Sequence, residues 1–288
     1  MWLKRWKLIY ELRILFSEPV FDHFYSLRCF PKNRSMQEVC SCAYKIVPCS
    51  GSECQGRDSF GNQILYGRME EAGREFGITV TAVAAVREGP EPEPSSYYRL
   101  GMYRYQTPYT SPGQSIREFL KMHQKPGHET AKSPEAPFPA GFLNRRTEPG
   151  AIWKRTEVLM DEVWNKFSYQ SGSTNAGTTA EEAFAQRQGV CQDYAQILLS
   201  ILREEGITAR YVAGAVPGEG ETHAWVEVWQ DGYWKGFDPT NNRATDASYL
   251  VFAVGRDAWD CALNRGIFRG NAGQEKRIYV KMEETEHG

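Results

Sequence analysis

Asp231-Gly232 stands between two runs of alternating strand formers, residues 222–229 and 233–237. A two-residue Asp-Gly loop is a hairpin signal, because its mirror-image turn matches the twist of the flanking strands and needs residues that tolerate positive φ. The turn fixes the pairing: Gln230 falls opposite Tyr233, and Trp225 opposite Asp238. A slip of one residue would send every side chain to the other face. In this register His223 is a same-face diagonal neighbour of Asp238, roughly 7–8 Å away at the backbone and within side-chain reach. Ala224, Val226 and Val228 form one face, and His223, Trp225, Glu227 and Trp229 the other. His223 therefore points away from the small aliphatic residues, and a neighbouring helix is expected on its side.

A helix precedes the hairpin. Tyr194, Ile197, Leu198, Ile201 and Leu202 recur at helical spacing, and Gly206 suits the C′ position. Cys191 falls at or just inside the helix start, where unpaired N–H groups and the positive end of the helix dipole favour a thiolate. The same N–H groups can stabilise an oxyanion, and Gly189 lets the preceding loop come close. A cysteine, a histidine and a carboxylate are thus brought into the order of a nucleophile, a base and an orienting group.

The remainder divides by composition. Leu8, Tyr10, Leu12 and Ile14 alternate with mostly polar neighbours; residues 38–47 do the same, with Cys40, Cys42, Tyr44 and Ile46 on one face. Asp58-Ser59-Phe60-Gly61-Asn62 reads as a turn with positive φ at Gly61 and Asn62, and 77–86 as a further strand. Residues 1–88 are expected to form a β-rich, sandwich-like domain. Residues 89–110 read as a Pro-rich linker, and 111–288 as an α+β core. Within the core the pattern predicts helices at 115–122 and at 152–167, the latter burying Val158, Leu159, Val163 and Phe167. Thr178-Thr179-Ala180-Glu181 reads as a capping box, and strands are expected at 208–216 and 276–282. Residues 125–139 read as a Pro-rich loop.

A net charge of −2 argues against a broad nucleic-acid surface. No run reaches the roughly 18 apolar residues of a membrane span. Glu11 and Arg13 interrupt the apolar stretch of about 7–15 residues that a secretory leader requires, so a cytoplasmic location with reduced thiols is expected. Five of the seven cysteines, Cys29, Cys40, Cys42, Cys49 and Cys54, cluster in the first domain. Their spacing lacks a Cys-x-x-Cys pair, which favours strand packing over zinc. His123 and His128 read as exposed.

Gly189-Val190-Cys191-Gln192-Asp193-Tyr194-Ala195, Thr222-His223-Ala224-Trp225-Val226-Glu227-Val228 and Gly236-Phe237-Asp238-Pro239-Thr240-Asn241 together resemble the bacterial transglutaminase-like superfamily of cysteine peptidase-type proteins. Phe167-Ser168-Tyr169, residues 178–184 and Ala253-Val254-Gly255-Arg256-Asp257 share the resemblance. The first domain, with its Asp58–Asn62 turn, resembles the amino-terminal domain that often precedes this core. The resemblance implies a papain-like core with Cys191 as nucleophile, His223 as base and acid, and Asp238 as orienting carboxylate. It implies acyl transfer on a peptide or protein substrate, with no cofactor and no metal, since the chain has no Asp-x-Asp-x-Asp-Gly calcium loop. Hydrolysis is the leading outcome; glutamine crosslinking and a non-catalytic binding module are the alternatives. Gln192, Trp225 and Tyr169 are candidate substrate-lining residues, although for the two aromatics core packing is the competing reading. Asp193 reads as a support for the helix start, and Glu227 as a solvated or paired strand residue.

Overall fold

The structure, a computed structural model, describes residues 4–48, 52–93, 100–123 and 148–285. The chain is mostly β with few helices. Its first sheet is organised on a 24-residue strand, β1 (Lys4–Leu27). Trp6, Leu8, Tyr10, Leu12, Ile14 and Phe16 are buried while their neighbours face outward, which is the period-two pattern of a half-buried strand. Ladder registers shift between Leu15 and Val20 and again between Phe21 and Phe24, and Asp22 has φ 47°. The two ends of β1 consequently join different neighbours. Along its first part lie β5 (Gly73–Val86) and β16 (Gln274–Glu284); along its second part lie β4 (Gln63–Met69) and β15 (Asn264–Arg269). β2 (Gln37–Val47) pairs with β5, β3 (Ser52–Arg57) with β4, and β10 (Gly218–Gly220) with β16.

This topology departs from a simple division at residues 89–110. The last two strands complete the sheet that residues 4–86 begin, because β1 has two long edges and only distant strands are free to cover the second. The linker is also less free than its prolines suggest. Glu91–Pro92 forms β6 against β12 (Tyr233–Asp238), Glu91 is buried, and the Glu93 N–H donates to the Gly232 carbonyl.

The second sheet runs β13 (Arg243–Ala244), β12, β11 (His223–Gln230), β9 (Ala209–Ala215), β14 (Leu250–Gly255). The edge of β14 is closed by side chains. Gln37 and Asn62, both buried, exchange paired amide hydrogen bonds with the backbone of Val251 and Val254 respectively. Two amides thus occupy the edge as a further strand would. Among the turn residues only Gly61 has positive φ, 72°; Asn62 is instead this buried clasp.

Four helices follow among the described residues: α1 (Gln114–His123), α2 (Ala151–Lys166), α3 (Ala180–Gln186) and α4 (Cys191–Glu204). None is long and apolar enough to cross a membrane. Leu159 and Val163 are buried on α2, whereas Val158 is 53% exposed. The capping box of α3 lies one residue later than the pattern suggested, at Thr179 and Glu182. Glu181 leaves its own helix and accepts the Gly113, Ser115 and Ile116 N–H groups at the start of α1. Helix α4 packs with Ala224, Val226, Val228 and Phe237 in one core. That is the face opposite the one expected. Only the small aliphatic face can bury the Ile197/Leu198/Ile201 stripe, while the His223 face is filled by Trp225, Tyr249, Val212, Val251 and Val254.

Cys40 and Cys42 are exposed rather than packed: a bulge between Val39 and Ser41 takes Cys40 out of the alternation of β2, while Cys42 keeps the face of Tyr44 and Ile46 but stays exposed. His123 is half-buried, stacked on Phe119 and hydrogen-bonded to Glu162. Cys49, His128 and the prolines between 125 and 139 lie outside the described residues.

Candidate active site

Cys191 is the first residue of α4 and is partly buried. Val190 is the N-cap in extended conformation, and its N–H donates to Asp193 Oδ2 at 2.8 Å. Thr174 Oγ1 donates to the same oxygen at 2.6 Å. Asp193 is nearly inaccessible, and burial pushes its carboxyl up despite these donors. A Cβ on Gly189 would lie 2.5 Å from Asp193 Oδ2, so the absence of a side chain there lets the loop close on the helix start. The Val190 carbonyl accepts the Asp193 and Tyr194 N–H groups. Among the described residues, the Cys191 and Gln192 N–H groups donate to nothing. They are the orphan donors of a helix N-terminus, and they lie beside the thiol.

The hairpin is folded in the register its turn demands. Gln230 pairs with Tyr233 and the ladder runs to Val226 opposite Phe237, with φ of 52° at Asp231 and 92° at Gly232. One step further sets Trp225 against Asp238 and brings His223 within reach of the carboxylate. His223 Nε2 meets Asp238 Oδ2 at 2.7 Å. This is the opposite ring nitrogen from the one the serine-protease arrangement would use, and it leaves Nδ1 for the thiol. Burial disfavours the charged ring, but hydrogen bonds with Asp238 and with Cys191, reinforced by their charges, outweigh it and raise the His223 pKa to about 10. The Cys191 Sγ also approaches the Thr222 carbonyl, at 4.0 Å. The sulfur reaches His223 at the end of β11, where the helix start meets the first residue of the strand. It therefore does not need the helix to lie on the histidine face.

Asp238 has no solvent exposure, and both its oxygens are occupied. Oδ1 accepts the Thr240 and Asn241 N–H groups. Oδ2 accepts from His223, from Asn241 Nδ2 at 2.7 Å and from the Tyr249 hydroxyl at 2.8 Å. Burial raises its pKa, and these donors, His223 foremost, more than reverse the effect. The local sequence explains the Oδ1 contacts, since an Asp before Pro-Thr-Asn turns back to the following N–H groups. Tyr249 carried no sequence signal of its own: it arrives from the start of β14 through the fold.

The three candidate substrate-lining residues fall in different places. Trp225 is 1% exposed, its ring 6.3 Å from the His223 ring and edge-on to Tyr249. It backs the imidazole and cannot line an open groove. A Cβ on Gly214 would clash with the Leu250 carbonyl and approach the Trp225 Cη2 to 2.6 Å, so the bare position admits both the β14 backbone and the indole. Gln192 is partly exposed on the first turn of α4. Tyr169 is 57% exposed on β7 (Ser168–Tyr169), which pairs in parallel with β8 (Gln188–Gly189) just before the cysteine. Burial and then the charge of Cys191 raise its hydroxyl pKa. Glu227 is buried between Arg34 and Arg210, not solvated.

Residues 143–239, which contain Cys191, His223 and Asp238, match the family described as the transglutaminase-like superfamily. The chain belongs to that superfamily. Residues 7–85 of this transglutaminase-like chain, which carry most of β1 and β2 to β5, match the bacterial transglutaminase-like N-terminal region. Proteins of Mycobacterium tuberculosis and Mycobacterium bovis, for which no activity is stated, are 30% identical over 287 residues, covering 93% of this chain and 88% of theirs. A protein-glutamine gamma-glutamyltransferase of Pseudomonas aeruginosa is 34% identical over 87 residues, which are 26% of this chain and 13% of that protein. The crystal structure of a candidate cysteine protease from Cytophaga hutchinsonii shares the fold. Its TM-score is 0.73 at 20% identity, covering 99% of this chain and 92% of that one.

Proposed function

We propose that this transglutaminase-like protein is a thiol-dependent acyl-transfer enzyme acting on peptide or carboxamide bonds, with hydrolysis as the outcome. The observation that carries the reading is the His223 ring, hydrogen-bonded to the buried Asp238 at 2.7 Å, with the Cys191 thiol at the adjoining helix start, its Sγ 4.0 Å from the Thr222 carbonyl next to the histidine. In this papain-like arrangement the Cys191 thiolate attacks the carbonyl carbon. The oxyanion that forms is met by the free Cys191 and Gln192 N–H groups. His223, protonated, gives its Nδ1 proton to the departing nitrogen as the C–N bond breaks, leaving a thioester. His223, now neutral, takes a proton from water as it attacks, and the thiolate leaves. An amine in place of water would complete a transfer instead, and the similarity to the Pseudomonas aeruginosa gamma-glutamyltransferase favours that as the second reading.

Iodoacetamide at neutral pH, followed by peptide mapping, should place the adduct first on Cys191, ahead of the exposed Cys40, Cys42 and Cys54. Cys191→Ala should lose turnover of a peptide library by at least about 10³-fold. Equal labelling of all exposed thiols with unchanged turnover would overturn the assignment. Incorporation of a labelled amine into a glutamine-bearing protein, faster than its hydrolysis, would favour the crosslinking reading.

A further inference from the structure

Among the described residues strand β7 has only one partner strand, β8. Ser168 N–H donates to the Arg187 carbonyl and Gln170 N–H to the Gly189 carbonyl. In a parallel ladder these alternate residues turn their polar groups to the partner strand, and the residue between them turns outward. Tyr169 is that residue. Its main-chain N–H and carbonyl have no hydrogen-bond partner among the described residues, and Ser168, Tyr169 and Gln170 are all exposed. Across the ladder Tyr169 sits against Gly189, two residues before Cys191. At about 3.3 Å per residue, the unpaired edge lies within roughly two residues of the attacking sulfur.

An open strand edge beside a nucleophile is a template for another chain. We propose that the Tyr169 edge docks the acyl side of an extended peptide substrate, whose main chain exchanges a pair of hydrogen bonds with the Tyr169 N–H and carbonyl. The inference rests on the acyl-transfer reading and narrows its substrate class. The substrate is a polypeptide with at least two or three residues on the acyl side of the reacting carbonyl, and recognition there is by backbone. A small amide lacking that backbone forgoes the pairing.

The test uses the full chain. A peptide substrate is scanned with single ester-for-amide replacements along its acyl side, each removing one N–H. One position should lose about tenfold in kcat/KM while its neighbours change little. On the protein, Tyr169→Pro removes the outward N–H without touching the ladder, since proline is tolerated on an edge whose N–H faces away. Tyr169→Ala removes the ring alone. The ratio of peptide turnover to acylation by p-nitrophenyl acetate should fall about tenfold further in the proline variant than in the alanine variant. Equal ratios in the two variants, or a scan with no sensitive position, would overturn the inference while leaving the acyl-transfer reading intact. If Tyr169→Pro does not fold, the ester scan on the unaltered protein decides. Failure of p-nitrophenyl acetate and peptide alike to acylate Cys191 would overturn both readings.

Discussion

Asp238 shows how much apparatus one buried carboxylate requires. It would be costly to bury without donors, and it receives three side-chain and two main-chain hydrogen bonds. Held charged, it keeps His223 protonated across the neutral range. The sign follows from the shift: the His223 pKa rises from 6.5 to about 10. The stabilisation it brings is therefore complete below pH 6.5 and is lost as pH rises through about 10. Asp238→Asn removes the charge and keeps the size. We expect the basic limb of kcat/KM against pH to move from near 10 toward 6.5 in that variant, measured on a peptide substrate. A limb that stays in place would show that Asp238 does not set the charge of the ring.

At the scale of elements, two adjacent glutamates take different roles. Glu182 closes the capping box of its own helix, whereas Glu181 caps α1 from across the interface with three backbone N–H groups. The sequence pattern assigned the box to Glu181, because a Thr-x-x-Glu match can start at either threonine and local pattern has no view of a second helix. A Cβ on Gly113 would lie 2.5 Å from Glu181 Cγ, so the cap also depends on that bare position. Glu181→Ala should cost about 1–2 kcal/mol, the upper range for a lost cap, and Glu182→Ala clearly less, both read from urea denaturation. The reverse order would contradict this division of labour. The same limit explains α4. Its periodicity was legible, but which face of β11 it covers depends on how much apolar surface each face offers once Trp225 and Tyr249 have filled the other.

At the scale of the molecule, the first sheet and the site-bearing sheet are joined by buried charge as well as by apolar packing. Arg34, from the segment after β1, meets Glu227 at 2.7 Å and Glu91 at 3.3 Å. Arg210 meets Glu227 at 2.7 Å and Glu93 at 2.9 Å, and lies 4.0 Å from the Trp234 ring centroid. Burial opposes the charge on Glu227, but Arg34 and Arg210 overcome it and lower its pKa to about 2. The resulting stability is present above pH 4.5 and is lost as pH falls toward 2. Arg34→Met strands part of this charge and should cost about 3 kcal/mol at neutral pH, with Arg210 left to limit the loss. Its acid-unfolding midpoint, followed by circular dichroism, should rise; an unchanged midpoint would show the cluster to be incidental. Glu227 read from sequence as a solvated or paired strand residue, and only the arrival of two distant arginines made it the centre of this joint. By itself the sequence determined the alternating strands around 8–14, 38–47, 77–86 and 276–282, the helix that opens on Cys191, and the hairpin register that puts His223 near Asp238. Those depend on periodicity, caps and a two-residue turn, all of which act between near neighbours. The tertiary structure alone decided that β15 and β16 return to β1, that Tyr249 and Asn241 hold Asp238, that Trp225 lies behind the imidazole, and that Nε2 rather than Nδ1 faces the carboxylate. Each of these turns on which distant surfaces meet, and the alternation of residues along a strand carries no information about its partner.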